Sequence, residues 1–168
     1  MACCAKTRQC PLDTGCRMTG RLLPPGQYAH DAVQIGDRIE TGWAEITVAM
    51  IDRFADLTGD HFAIHMSDTG AQAQGFVRRV AHGLLVLSVV DGLKNQTPAQ
   101  FHAIASLGWD WSFRKPVLAG DRIHAEIRVE TRRVTQCGDR GILGLAFDVR
   151  NHEDEIVQLG HNRLMVHR

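Results

Sequence analysis

Residues 57–65 read LTGDHFAIH, and two of them carry groups able to move protons: Asp60 and, five positions on, His65. A carboxylate and an imidazole that meet at one water can take a proton from it and return one to a substrate carbon. Whether they meet depends on the backbone. On a continuous helix a five-residue step leaves the two side chains about 140° apart, whereas a loop lets them converge. The preceding residues predict such a break. Thr47 is a natural N-cap, Ile51, Phe54 and Ala55 recur at helical spacing, and Gly59 is a natural terminator. A helix of about three turns should rest its Ile51–Phe54 face on the core.

Other elements must position this pair. Residues 19–36, with Pro24-Pro25-Gly26, read as an extended lead-in, and residues 36–47 alternate enough for a first strand. After a polar segment (66–79), VAHGLLVLSVVDGLKNQ (80–96) is apolar almost all round. Such a helix is a buried one, so a central helix enclosed by other structure is expected. Gly83 falls at its N-terminal end, where backbone N–H groups lack helical partners and negative charge is favoured.

The remaining third supplies the enclosure. GWDWSFRKPV (108–117) reads as a strand ended by Pro116. Residues 121–134 alternate cleanly, with Ile123, Ala125, Ile127 and Val129 on one face. Residues 141–151 and 155–167 read as a hairpin across the turn residues 151–154. Helices followed by an uninterrupted run of strands predict an α+β domain whose antiparallel sheet wraps the apolar helix.

The totals agree with one globular domain. The chain has 168 residues, 44% hydrophobic and 23% charged, with a formal net charge of zero. That balance argues against a general attraction to nucleic acid or to an anionic membrane. No run approaches the roughly 18 apolar residues of a membrane helix, and the opening MACCAKTRQCPLDTGC has no signal-peptide core. A cytoplasmic location is expected. Four of the five cysteines (Cys3, Cys4, Cys10 and Cys16) crowd into that opening without paired C-x-x-C spacing or a histidine tract. The expectation is a disordered tail over residues 1–18, no metal, and a folded domain over 19–168. A start at Met18 would fit the same pattern, because organised sequence begins after it.

Three blocks carry a family resemblance: FADLTGDHFAIH (54–65), RRVAHGLLVLSVV (78–90) and WSFRKPVLAGDRI (111–123). In this order and spacing the chain resembles the MaoC-like dehydratases, hot-dog-fold proteins that include the (R)-specific enoyl-CoA hydratases. The likeness runs over roughly residues 34–167. It implies a single hot-dog domain that reversibly hydrates a 2-enoyl thioester, with Asp60 and His65 as catalytic residues and the Gly83 N–H as an oxyanion donor. Phe62, Ile64 and His82 are the candidate pocket residues beside them. His82 has a second reading, as a side chain bonding neighbouring backbone. The resemblance further implies an acyl-CoA or acyl-carrier thioester as substrate, no cofactor, and a homodimer or higher homo-oligomer.

The family loop reads G-D-x-N-P-[ILV]-H, and here Phe62 and Ala63 replace its Asn and Pro. A Phe at this place resembles the hydratase domains of phenylacetate-type ring-opening enzymes, so the departure bears on substrate more than on chemistry. The rival expectations are a hot-dog thioesterase and a non-catalytic acyl-thioester-binding subunit.

Overall fold

The computed structural model of the chain describes residues 20–168. The cysteine-rich opening, the expected disordered tail and the Met18 start fall outside the described residues. In chain order the elements are β1 (Gly26–Tyr28), a 3₁₀ turn (His30–Ala32) inside the otherwise extended lead-in, β2 (Arg38–Glu40), β3 (Ala44–Glu45), α1 (Val48–Thr58), α2 (Ala63–Met66), α3 (Asp68–Gln72) and α4 (Gly83–Lys94). Strands follow: β4 (Ala99–Phe101), β5 (Ala103–Phe113), β6 (Arg122–Val134), β7 (Arg140–Asn151) and β8 (Ile156–His167).

The sheet runs β2-β6-β7-β8-β5, with β3 also on β6, and every pairing in it is antiparallel. β1 and β4 form a separate parallel pair. The expected face of β6 is the buried one: Ile123, Ala125, Ile127 and Val129 are fully enclosed. They share a core with Leu143, Leu145, Phe147 and Val149 of β7 and with Leu85, Val86 and Val90 of α4. Trp109 and Trp111 pack on Phe147, at 5.3 and 5.5 Å between ring centroids, as part of the same core. This is the α+β hot-dog arrangement, an antiparallel sheet around one apolar helix.

Three expectations need correction. The single strand over 36–47 is two short ones. Between them Thr41 donates its N–H to the Ala125 carbonyl and accepts the Ala125 N–H on its own hydroxyl, so a side chain takes a ladder position and the strand breaks. The strand expected at 108–117 starts earlier, at Ala103, and ends at Phe113. Finally, α4 is enclosed on one face only. Leu84 is 59% exposed, and Ser88 is exposed one turn further on. β5, for its part, pairs with β8 on one side and with no strand on the other among the described residues.

Candidate active site

Local chemistry delivers Asp60 to the site. The Thr47 hydroxyl accepts the Met50 N–H at 3.2 Å to start α1. Gly59 ends it in the left-handed region (φ 75°), its N–H reaching the Ala55 carbonyl at 2.7 Å. That conformation suits glycine. The next residue, Asp60, therefore leaves the helix axis, and its carboxylate accepts the Phe62 N–H at 3.3 Å.

His65 does not sit on an open loop, as the sequence suggested, but in the short turn α2. Tertiary backbone bonds hold that turn. The Val80 N–H donates to the Ile64 carbonyl at 3.0 Å, and the Val80 carbonyl accepts from His65 Nδ1 at 2.7 Å. Arg79 adds a bond from Nε to the His65 carbonyl at 2.8 Å and an ion pair to Asp52. A carbonyl can only accept, so the proton is on Nδ1 and the Nε2 lone pair is bare. Burial is the main cause that lowers the His65 pKa below 6.5; His82 and Arg79 act the same way, against the Val80 bond and Asp60. A neutral imidazole with a free Nε2 is a proton acceptor.

Asp60, His65 and His82 converge: one ligand atom from each lies within 4.8 Å of the others. The His65 and His82 rings stack at 3.8 Å between centroids, inclined 28°. These donor types suit a metal, but the geometry does not. Near-parallel rings send their in-plane lone pairs side by side instead of toward one tetrahedral centre. His82 Nε2 is also spent on the Asp60 carbonyl, at 2.9 Å.

Gly83 opens α4, whose first helical bond runs from the Val86 N–H to the His82 carbonyl. The N–H groups before it are free of helical partners. Gly83 and His65 line one cavity of about 320 Å³, with Val86, Phe113, Gln158 and the 114–117 segment in its wall. The glycine lets the Phe113 ring lie against the helix start: a Cβ there would be 2.6 Å from that ring and would push it aside. Gln158 holds this helix start in place, donating to the Gly83 carbonyl at 3.2 Å and accepting from Trp111 Nε1 at 2.7 Å.

The other expected pocket residues are placed differently. Phe62 is 59% exposed and edge-on to His65 at 6.3 Å. The Ile64 carbonyl anchors the turn, and of the expected site residues only His65 and Gly83 belong to the cavity wall, whereas Asp60, Phe62, Ile64 and His82 do not. Arg78 is occupied by Asp121, at 2.7 Å. Gln158 and Phe113 were missed in the sequence. The available signal for Gln158 was a polar residue on the inward side of an apolar run, a position that demands a hydrogen-bond partner.

A relative named (R)-specific enoyl-CoA hydratase, from Aeromonas caviae, is 34% identical over 116 residues, 69% of this chain and 78% of that one. A relative named protein MaoC, from Klebsiella aerogenes, is 32% identical over 122 residues, 72% of this chain. The match spans only 36% of that longer protein. Among solved structures, one titled monoamine oxidase regulatory protein from Archaeoglobus fulgius superposes with a TM-score of 0.78 at 27% identity, covering 89% of this chain and 98% of that one. The family model described as MaoC like domain matches residues 31–142. That span holds Asp60, His65, His82 and Gly83, and the chain belongs to the MaoC-like domain family.

Proposed function

We propose that the chain is a hydro-lyase that reversibly adds water to a 2-enoyl thioester, using Asp60 and His65 as its acid–base pair. One observation carries the reading. His65, with its Nε2 bare, shares a cavity with the free N–H groups at the start of α4 and has the Asp60 carboxylate within 4.8 Å. In the forward direction water oxygen bonds to the β-carbon while the dyad takes one proton from it and returns one to the α-carbon. The double bond is consumed, no electrons enter or leave, and no cofactor is needed. Negative charge gathers meanwhile on the thioester oxygen, where the Gly83 N–H and the positive end of α4 stabilise it. Positioned acid–base help of this kind is worth about 10²–10⁴-fold, and one oxyanion donor about 10²–10³-fold.

Two further features belong to the proposal. The Asp60 side chain is 54% exposed in the single chain, wetter than proton transfer favours. A second copy docked on the β5 edge and the open stripe of α4 would cover that side, so the working form is a homodimer. The substrate is an acyl-CoA or acyl-carrier thioester, met in the cytoplasm. Phe62 stands edge-on to His65 outside the cavity wall, where an aromatic edge replaces the family's hydrogen-bonding amide, so this departure bears on which acyl group is accepted.

The test is a mixed panel of enoyl-CoA and 3-hydroxyacyl-CoA thioesters incubated with the full chain and followed by mass spectrometry. Gain or loss of one water by some members is expected. Release of free thiol without hydration would make the chain a thioesterase. Retention of thioesters with no turnover across the panel would make it a binding subunit.

A further inference from the structure

We propose that His82 is a positioning residue for the dyad: it ties the Asp60 loop to the start of α4 and fixes the His65 ring by face-to-face packing. This rests on the hydration reading and adds a third residue to it. His82 stands at the N-cap of α4, yet its side chain makes no capping bond. Its Nε2–H instead donates to the Asp60 carbonyl at 2.9 Å, across 22 positions of sequence. The same nitrogen lies 4.0 Å from the Asp60 carboxylate. One ring face covers His65 at 3.8 Å, and Phe54 packs nearby at 5.1 Å.

A space-filling role is the plain alternative, and the polar atoms argue against it. His82 is 3% exposed, and its Nδ1 is buried with no hydrogen-bond partner among the described residues. A stranded buried nitrogen is unfavourable, and Phe or Leu would fill the space without it. What the imidazole supplies and those residues lack is the bond to Asp60 combined with a flat ring over His65. Without them Asp60 itself, half open to solvent, keeps the weak 3.3 Å bonds from its own N–H and from Phe62, and the loop keeps the local His61 bonds to the Gly59 carbonyl and to Asp56, none of which reaches α4. The charged and titratable groups facing His65 are His82 from the α4 cap, Asp60 from the loop and Arg79 from the segment before α4, with Arg114 and Lys115 from the segment after β5 across the shared cavity.

The experiment uses the full chain with His82→Phe and His82→Gln, reading kcat, KM, thermal midpoint and the His65 titration by NMR of its ring Cε1–H. His82→Phe keeps a flat ring and loses the donor, so kcat falls about tenfold with KM changed less than about twofold. His82→Gln keeps a donor for the Asp60 carbonyl but removes the imidazole from beside His65. Its kcat falls less than that of the Phe variant, and the His65 midpoint moves up. Unchanged kcat and an unmoved His65 midpoint in both variants would overturn the role, as would activity lost only in step with the folded fraction. The His65 titration needs no substrate, so the two layers separate. If Asp60→Asn also leaves turnover intact, the hydration reading fails; if Asp60→Asn abolishes turnover while both His82 variants behave as wild type, the positioning role fails.

Discussion

At the scale of the residue, neutrality of His65 is the property that matters. Burial is the first cause of its lowered pKa, so the ring stays an acceptor further into acid than an ordinary imidazole. The acid limb of kcat/KM against pH is expected below 6.5, and an inflection above that value would contradict the assignment. The same shift acts on stability. Because the folded pKa lies below the unfolded one, the unfolded chain takes the proton first as pH falls, and stability drops below about 6.5. Gly83 offers a second test. Gly83→Ala places a methyl against the Phe113 ring, which is half exposed and can turn aside, so the fold survives with little change in thermal midpoint. The amide donor also survives, but the cavity wall moves, and kcat/KM falls by up to about 10²-fold. A fully active variant would show that Phe113 has no part in shaping the site. Asp60 and Gly83 were legible in the sequence because helix stops and starts are written locally. The partners of His65 were not: Val80 is fifteen residues away and contributes backbone atoms, which leave no mark in side-chain pattern.

At the scale of the element, alternation located β6, whose Ile123, Ala125, Ile127 and Val129 face is buried while its other face stays polar, and turn chemistry located the β7–β8 hairpin. Alternation failed for the start of β5. Residues 103–107 are largely exposed on an edge with register irregularities at Ala103–Ala105 and Ser106–Gly108, so no period of two is enforced. The short helices α2 and α3 were missed for a related reason: bonds from Arg79 and Val80 hold them, not an apolar stripe of their own. The polar face of the sheet carries a local strain in charge. Glu40, Glu126 and Asp148 sit opposite one another across β2, β6 and β7. Burial, with Glu126 adding to it, raises the Asp148 pKa above 3.8 against the pull of Arg150. A raised carboxyl pKa means that ionisation opposes folding, so the loss of stability appears as pH rises through the shifted value. Asp148→Asn should therefore raise the thermal midpoint at neutral pH, with the gain shrinking toward the acid side. A lower midpoint at pH 7 would mean that the Arg150 attraction outweighs the cost of burial.

At the scale of the whole molecule, the described chain leaves surface that a second copy could cover. The outer edge of β5, the Leu84 stripe of α4 and the Asp60 carboxylate are each uncovered in the single chain. An unpaired edge strand is a template for a second copy, and closing it would dry the dyad. Sedimentation equilibrium should report twice the chain mass. Leu107→Lys, a charge on that edge, should shift the population to monomer and lower turnover with it; a fully active monomer would remove dimerisation from the account. The apolar character of residues 80–96 pointed to burial without distinguishing a core from an interface, because both reward the same side chains. Hydration by this site requires Asp60 and His65 to act on one water. The most direct measurement is the single-turnover hydration rate of Asp60→Asn and His65→Gln, each shown folded, on the best substrate of the thioester panel. A fall of about 10²–10⁴-fold in each is predicted. A wild-type rate in either variant would contradict the central claim.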